Sequence, residues 1–209
     1  LGGCIDLFEN LWYSPEPLEA YEWPLNDIPE DHIEVVELAG TAVEGDDEAP
    51  TIFGVWAHQC TIDFVDDCVD PDHPWFDPVH RETPVLYFHG NADNLNTYWD
   101  RVQILWRMGF PVFAIDYRGF GRSTGSPSEA GIYADAETAL QHVLERRAAA
   151  DPSLLGPEGE LPTARQARLW YYGWSLGSTA AIDLAVNNPP RALVTEAALA
   201  SGQAFIDDA

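Results

Sequence analysis

One short run constrains this chain more than any other. Gly173-Trp174-Ser175-Leu176-Gly177 lies between an apolar, strand-like segment (Leu169 to Gly173) and a helix-like one (Leu176 to Val186). A chain that passes from a buried strand into a helix within one residue must turn sharply. Side chains two positions to either side of that turn would collide, so glycine at 173 and 177 relieves the crowding. Ser175 is left on a strained turn with its hydroxyl clear of the sheet edge. The helix that follows aims backbone N–H groups, and the positive end of its dipole, at any oxyanion formed beside the serine. The plain alternative is a strand–glycine–helix connection with an idle serine; the flanking runs favour a nucleophile.

The surrounding pattern alternates strand and helix. Val85 to Phe88 (VLYF) and Val112 to Ile115 (VFAI) are continuous apolar runs, as strands buried on both faces should be. Between them, Asn96 to Met108 reads as a helix with Trp99, Val102, Leu105 and Trp106 on one face. Glu129 to Ala149 reads as another, through Ile132, Ala136, Ala139, Leu140, Val143 and Leu144. Ala192 to Leu199 is the last predicted strand. This order implies an α/β fold, with a mostly parallel sheet and helices on both faces.

Upstream, Ile33 to Leu38 and Thr51 to Ala57 read as an antiparallel pair joined by an acidic turn. Residues 1–32 form a Pro-, Glu- and aromatic-rich lead-in without periodicity, expected to lie extended against a domain spanning 33–209. The Asp- and Pro-rich stretch at about 59–83 exceeds the roughly 4–6 residues of an ordinary connection and reads as an acidic insertion. Its carboxylates (Asp63, Asp66, Asp67, Asp70, Asp72, Asp77), or His58 with Cys60, Cys68 and His73, match no recognised metal-ligand spacing, so no metal is expected. Cys60 and Cys68 are read either as a short-loop disulfide or as two free thiols. Leu1-Gly2-Gly3-Cys4 has the pattern of a bacterial lipobox. It is either a lipid-attachment site at Cys4, implying a membrane tether in the cell envelope, or a coincidence, since an apolar stretch follows where a polar tether is usual.

The charge excludes some partners. With 35 acidic residues against 10 basic ones, the net charge is −25, and every basic residue is arginine. Such a field opposes nucleic acid and anionic membrane surfaces, and suits a solvated acidic exterior. It does not name a reaction.

A second chemical signal is His89-Gly90-Asn91 at the end of the VLYF run. An acyl-transfer site needs two N–H donors for its oxyanion. Leu176 offers one and Asn91, in the loop after this strand, the other. His89 and Gly90 are supporting residues, with His89 structural and not the base. The segments YFHGNADN (87–94), AIDYRGFGRSTGSPSE (114–129), GIYADAETAL (131–140) and GWSLGSTAA (173–181) together resemble the α/β-hydrolase superfamily. Within it they look like the Bem46-like, serine-aminopeptidase-type branch, over about residues 30–206. The resemblance implies a serine hydrolase that cleaves an ester, thioester or amide through an acyl-enzyme on Ser175. It implies no cofactor, and a small-molecule or lipid acyl substrate. Asp116 and Arg118 are assigned to holding the turn after their strand, with Gly119 and Gly121 permitting its backbone. The family's second loop glycine is Asp93 here, which puts the local loop shape in question.

In this family the triad runs serine, acid, histidine along the chain. All six histidines (His32, His58, His73, His80, His89, His142) precede Ser175. Asp183 falls in the helix behind the turn, Glu196 inside the last predicted strand, and Asp207 and Asp208 at the chain's end. The expectation is therefore a hydrolase domain present through about its sixth strand, lacking the triad acid and histidine, and inactive as it stands. The competing reading is a non-catalytic, envelope-associated binding module that keeps the fold.

Overall fold

The computed structural model describes residues 13–23, 27–59 and 80–198. A two-residue strand, β1 (Ser14–Pro15), precedes a 3-10 turn at Glu30–His32 and the hairpin of β2 (Ile33–Ala39) and β3 (Thr51–Ala57). Then follow β4 (Val85–Phe88), the two-residue β5 (Ala92–Asp93), α1 (Leu95–Arg107), β6 (Val112–Ile115) and α2 (Glu129–Ala150). β7 (Trp170–Trp174), α3 (Leu176–Asn187) and β8 (Ala192–Glu196) complete the order.

Six strands form one sheet in the order β2-β3-β6-β4-β7-β8. β2 pairs antiparallel with β3, and β3 antiparallel with β6; every other neighbour is parallel. The expected α/β architecture is therefore present. Its cause is visible in the alternation of β4 and β6. Val85, Tyr87, Val112 and Ala114 pack beneath α1 with Trp99, Val102 and Trp106. Leu86, Phe88, Phe113 and Ile115 face Ile132, Ala136, Leu140 and Val143 of α2 and Ala180 and Leu184 of α3. Strands covered on both faces have no polar side to show, hence the unbroken apolar runs.

Helix starts follow local chemistry. The Asn94 side chain accepts from the Asn96 N–H at 3.0 Å, and Ser128 Oγ from the Gly131 N–H at 3.1 Å, each satisfying an otherwise unpaired first-turn donor. The Asn94 cap starts α1 one residue before the expected Asn96. Strand β8 is shorter than its apolar run predicts: it ends at Glu196, not Leu199, because Ala197 turns into the left-handed region at φ 50°. The lead-in is expected to lie extended against the domain, with no strand assigned to it. It contains β1, which pairs parallel with β5. No described helix is long and apolar enough to cross a membrane. Cys4, Cys60, Cys68 and nearly all of the acidic insertion lie outside the described residues; His58, within them, sits 2.9 Å from Glu34 Oε2.

The turn after β6 is anchored by a buried charge cluster. Arg118 is fully buried and donates to Asp135 Oδ1 at 2.8 Å, Asp46 Oδ2 at 2.6 Å and the Thr41 carbonyl at 2.9 Å. It joins the β2–β3 hairpin to α2, a wider reach than the turn to which the sequence reading assigned it. Burial pushes the Asp135 carboxyl above its usual range, and the Arg118 hydrogen bonds oppose that shift. Removing the cation leaves two carboxylates uncompensated, so Arg118→Ala is expected to cost about 3–5 kcal/mol in urea denaturation.

On the α2 side, Trp56 Nε1 donates to His142 Nε2 at 3.0 Å, which requires that nitrogen to be unprotonated. Burial, then the nearby Arg146, holds the His142 imidazole below its ordinary value. The unfolded chain therefore binds this proton better. The stabilisation is complete above the ordinary imidazole value of about 6.5 and is lost as pH falls below it. His142→Gln, whose side-chain oxygen can still accept from Trp56, is expected to flatten the loss of stability between about pH 7 and pH 5, read from denaturation midpoints.

Candidate active site

Strand β7 runs directly into Ser175, whose backbone sits at φ 49°, ψ −114°, and α3 begins at the next residue. A serine held there costs roughly 1–3 kcal/mol, and the surroundings hold it in place. Its N–H donates to the Glu196 carbonyl at 2.8 Å, and its own carbonyl accepts from the Ser178 N–H at 2.9 Å and from Ser178 Oγ. The two flanking glycines have measurable reasons. A Cβ on Gly173 would lie 2.4 Å from the Gly177 carbonyl oxygen, and one on Gly177 only 2.1 Å from the Phe88 carbonyl oxygen. Both clashes are with backbone, which cannot rotate away. Ser175 remains partly exposed, and among the described residues no side chain hydrogen-bonds its hydroxyl.

The second predicted segment lies beside the first. β4 and β7 are parallel neighbours with Phe88 opposite Gly173, so the loop after β4 and the turn after β7 leave the same sheet edge together. They touch: a Cβ on Gly90 would fall 2.7 Å from Trp174 Cδ1 and 2.7 Å from Tyr98 Oη. Ser175, Leu176, Gly173, Gly177, His89, Gly90 and Asn91 thus form one cluster, as the sequence reading requires.

His89 is fully buried, and both ring nitrogens point into the protein. Nδ1 lies 2.7 Å from the Gly90 carbonyl oxygen, to which it can only donate, and Nε2 lies 3.3 Å from Asp116 Oδ1. This contact fixes the Gly90–Asn91 peptide. With its C=O turned toward His89, the trans geometry directs the Asn91 N–H the opposite way. Asp93, the residue in place of a family glycine, adopts φ 57° and so keeps the backbone a glycine would supply. Its carboxylate accepts from Thr97 Oγ1 at 3.0 Å.

Several neighbours were not anticipated. Glu196 is not inside its strand but at the strand's end, in register with Trp174. Its carboxylate accepts from the Tyr172 hydroxyl and lies 3.7 Å from Arg101 Nε. The Arg101 guanidinium in turn covers the Trp174 ring, 3.8 Å from its centroid. Burial first, and then the Glu196 hydrogen bond, push the Tyr172 hydroxyl up to about 12. No sequence signal marks Glu196 as the last residue of its strand, because the break is made by an ordinary alanine, Ala197, at φ 50°. Asp183 sits within α3 as expected, and Asp207 and Asp208 lie outside the described residues.

The family model described as serine aminopeptidase, S33, matches residues 80–206, which include both loops. The chain is 36% identical over 122 residues to protein bem46 of Schizosaccharomyces pombe, covering 57% of this chain and 36% of that protein. It is 34% identical over 130 residues to the alpha/beta hydrolase domain-containing protein WAV2 of Arabidopsis thaliana, covering 59% of this chain and 37% of that one. The chain thus spans little more than a third of the length of these relatives. Among solved structures, hypothetical protein PA2218 from Pseudomonas aeruginosa has the same fold at a TM-score of 0.51 and 19% identity, covering 84% of this chain and 46% of that one.

If Asp93 owes its place to backbone conformation, glycine should replace it freely and a β-branched residue should not. Asp93→Gly is expected to change stability by less than about 1 kcal/mol. Asp93→Val is expected to lose roughly 1–3 kcal/mol, both read from thermal unfolding.

Proposed function

This chain belongs to the serine aminopeptidase, S33, family, and we propose that it supplies the nucleophile and oxyanion site of a serine hydrolase acting on an ester, thioester or amide. One observation carries the proposal: Ser175 holds a backbone conformation that serine adopts only at a cost, at a sheet edge beside the loop that carries Asn91. In the reaction, Ser175 Oγ bonds to the acyl carbon as its proton passes to a base. The N–H groups of Leu176 and Asn91 receive the negative charge that collects on the carbonyl oxygen. Collapse expels the alcohol, thiol or amine with the transferred proton, and water later releases the acid by the same route. His89, directed inward, keeps the Asn91 peptide turned and does not take the proton.

No histidine follows Ser175 within these 209 residues, so this stretch by itself does not bring a base and its acid partner to the serine in the family's order. Without them the hydroxyl stays protonated, and the 209 residues alone are inactive or nearly so. A neutral or lipid acyl substrate fits the −25 charge better than an anionic one, and a lipid attached at Cys4 would keep the site at a membrane of the cell envelope.

A fluorophosphonate probe tests the reading. In the full-length protein it is expected to label Ser175, and Ser175→Ala to abolish labelling. The 209-residue chain alone should react slower by about three orders of magnitude or more. Equal labelling of wild type and Ser175→Ala would remove the serine nucleophile and leave the binding-module reading.

A further inference from the structure

The loop bearing Asn91 is gripped by a segment outside the sheet. β1 runs parallel to β5, with Ser14 opposite Ala92 and Pro15 opposite Asp93. The Ser14 N–H donates to the Asn91 carbonyl at 3.3 Å and the Glu16 N–H to the Asp93 carbonyl at 3.0 Å; Asn94 Nδ2 returns a bond to the Glu16 carbonyl at 3.0 Å. The same segment then crosses to the loop after β6. There the Leu18 N–H donates to the Gly121 carbonyl at 2.7 Å, and the Gly121 N–H to the Glu16 carbonyl at 3.2 Å.

A third attachment is a side chain. The Tyr21 hydroxyl donates to Asp116 Oδ2 at 2.7 Å. Asp116 is fully buried, and its other oxygen accepts from the Leu95 N–H at 2.9 Å and lies 3.3 Å from His89 Nε2. One carboxylate therefore touches the loop at both ends: the imidazole where it begins, and the first residue of α1 where it finishes. Gly121 packs so near that a Cβ there would fall 1.9 Å from Asp116 Oδ2, the oxygen that accepts from Tyr21. Burial, then the Asp116 charge, raises the Tyr21 hydroxyl far above its ordinary value, so it keeps its proton and remains a donor. The Tyr21 ring is stacked on Trp23 at 4.9 Å, and Trp23 on Trp99 of α1 at 3.9 Å.

We infer that Tyr13–Trp23 is a strap that belongs to the reactive site, and that Tyr21 is a positioning residue acting through Asp116 to fix the loop presenting the Asn91 N–H. The inference rests on the serine-hydrolase reading above for what that N–H does. Among the described residues the strap pairs with β5 and bridges to Gly121, not to the six-stranded sheet, and the backbone hydrogen bonds given above go to the two loops at the sheet's reactive edge. Losing one loosens those loops before it loosens the core. An oxyanion donor is effective only when held at hydrogen-bonding distance from the charge it receives, so slack there appears in turnover and not in substrate affinity.

The test uses the intact protein with two variants. Tyr21→Phe removes the hydroxyl, and Ser14→Pro removes the N–H facing Asn91 while leaving every side chain of the loops in place. Amide hydrogen exchange across residues 91–95 is expected to quicken at least about tenfold in each variant, with β3, β4 and β6 unchanged. In ester hydrolysis kcat is expected to fall about 10- to 100-fold with KM held, short of the effect of losing a donor outright. Affinity for a trifluoromethyl ketone, which mimics the oxyanion, should fall in parallel. Unchanged exchange at 91–95, or a uniform rise through the sheet, overturns the strap. So does local loosening with wild-type kcat and inhibitor affinity, which would make the contact structural only. If Ser175→Ala keeps the activity, the hydrolase reading fails by itself, while the exchange measurement still decides whether the strap holds the loop.

Discussion

Helix α3 crosses β4 with no room for a methyl group between them. The position a Gly177 Cβ would take is 2.1 Å from the Phe88 carbonyl oxygen and 2.6 Å from that of His89, both backbone atoms. That approach determines three things at once. It sets the angle at which α3 leaves the sheet, so β7 must turn within Ser175 alone. It brings the loop after β4 against the turn after β7, which is what gathers Asn91, Gly90, Trp174 and Ser175. It also demands the left-handed backbone at Ser175, since no longer connection would fit. The strain of that residue is a consequence of packing, held by a core in which Leu86, Phe88, Tyr171, Ala180 and Leu184 are nearly all inaccessible.

Around this crossing, buried charge does what apolar packing cannot, which is to aim backbone groups. Asp116 and Arg118 leave β6 two residues apart and face opposite tasks. Asp116 looks toward the reactive edge, accepting from Leu95 and Tyr21 and lying beside His89. Arg118 looks toward the hairpin, bonding Asp46, Thr41 and Asp135. Just after them, Gly119 at φ 78° and Gly121 at φ 52° let the chain reverse. Each group is expensive to bury and so tolerates only a geometry that satisfies it. A single turn thereby registers the hairpin, α2, the lead-in and the Asn91 loop against one another.

The parts legible in the sequence share a physical reason. β4 and β6 match their apolar runs residue for residue, and the buried faces of α1 and α2 match their spacing, because a strand or helix covered by a core must show its period. The turn at Ser175 was legible because its steric demand leaves glycine in two places. What escaped reading has no period. β1 is two residues of an aperiodic segment, recruited by backbone bonds to a loop some 78 positions away. The position of Glu196 at its strand's end depends on Ala197 leaving the extended region, where alanine gives no warning. Asp93 looked like a defect in a glycine loop. In the structure its short side chain tolerates the left-handed conformation and bonds Thr97, so the departure in sequence preserves the backbone.

The charge imbalance has a structural side that composition alone conceals. Ten arginines serve a chain with 35 acidic side chains, and several of them join distant segments. Arg146 reaches Glu34 across 112 positions, Arg168 reaches Glu82 across 86, and Arg118 reaches Asp46 across 72. The first two pairs are solvated at the periphery and individually worth little, and dissolved salt screens them together with the repulsion among the surplus acids. Arg118, fully buried, is insulated from that screening. Ionic strength therefore acts on the acidic exterior, relieving its self-repulsion, while the contacts that aim the reactive edge sit beyond its reach. A surface of this sign also opposes the approach of polyanions to any part of the domain, and that opposition weakens as salt is added.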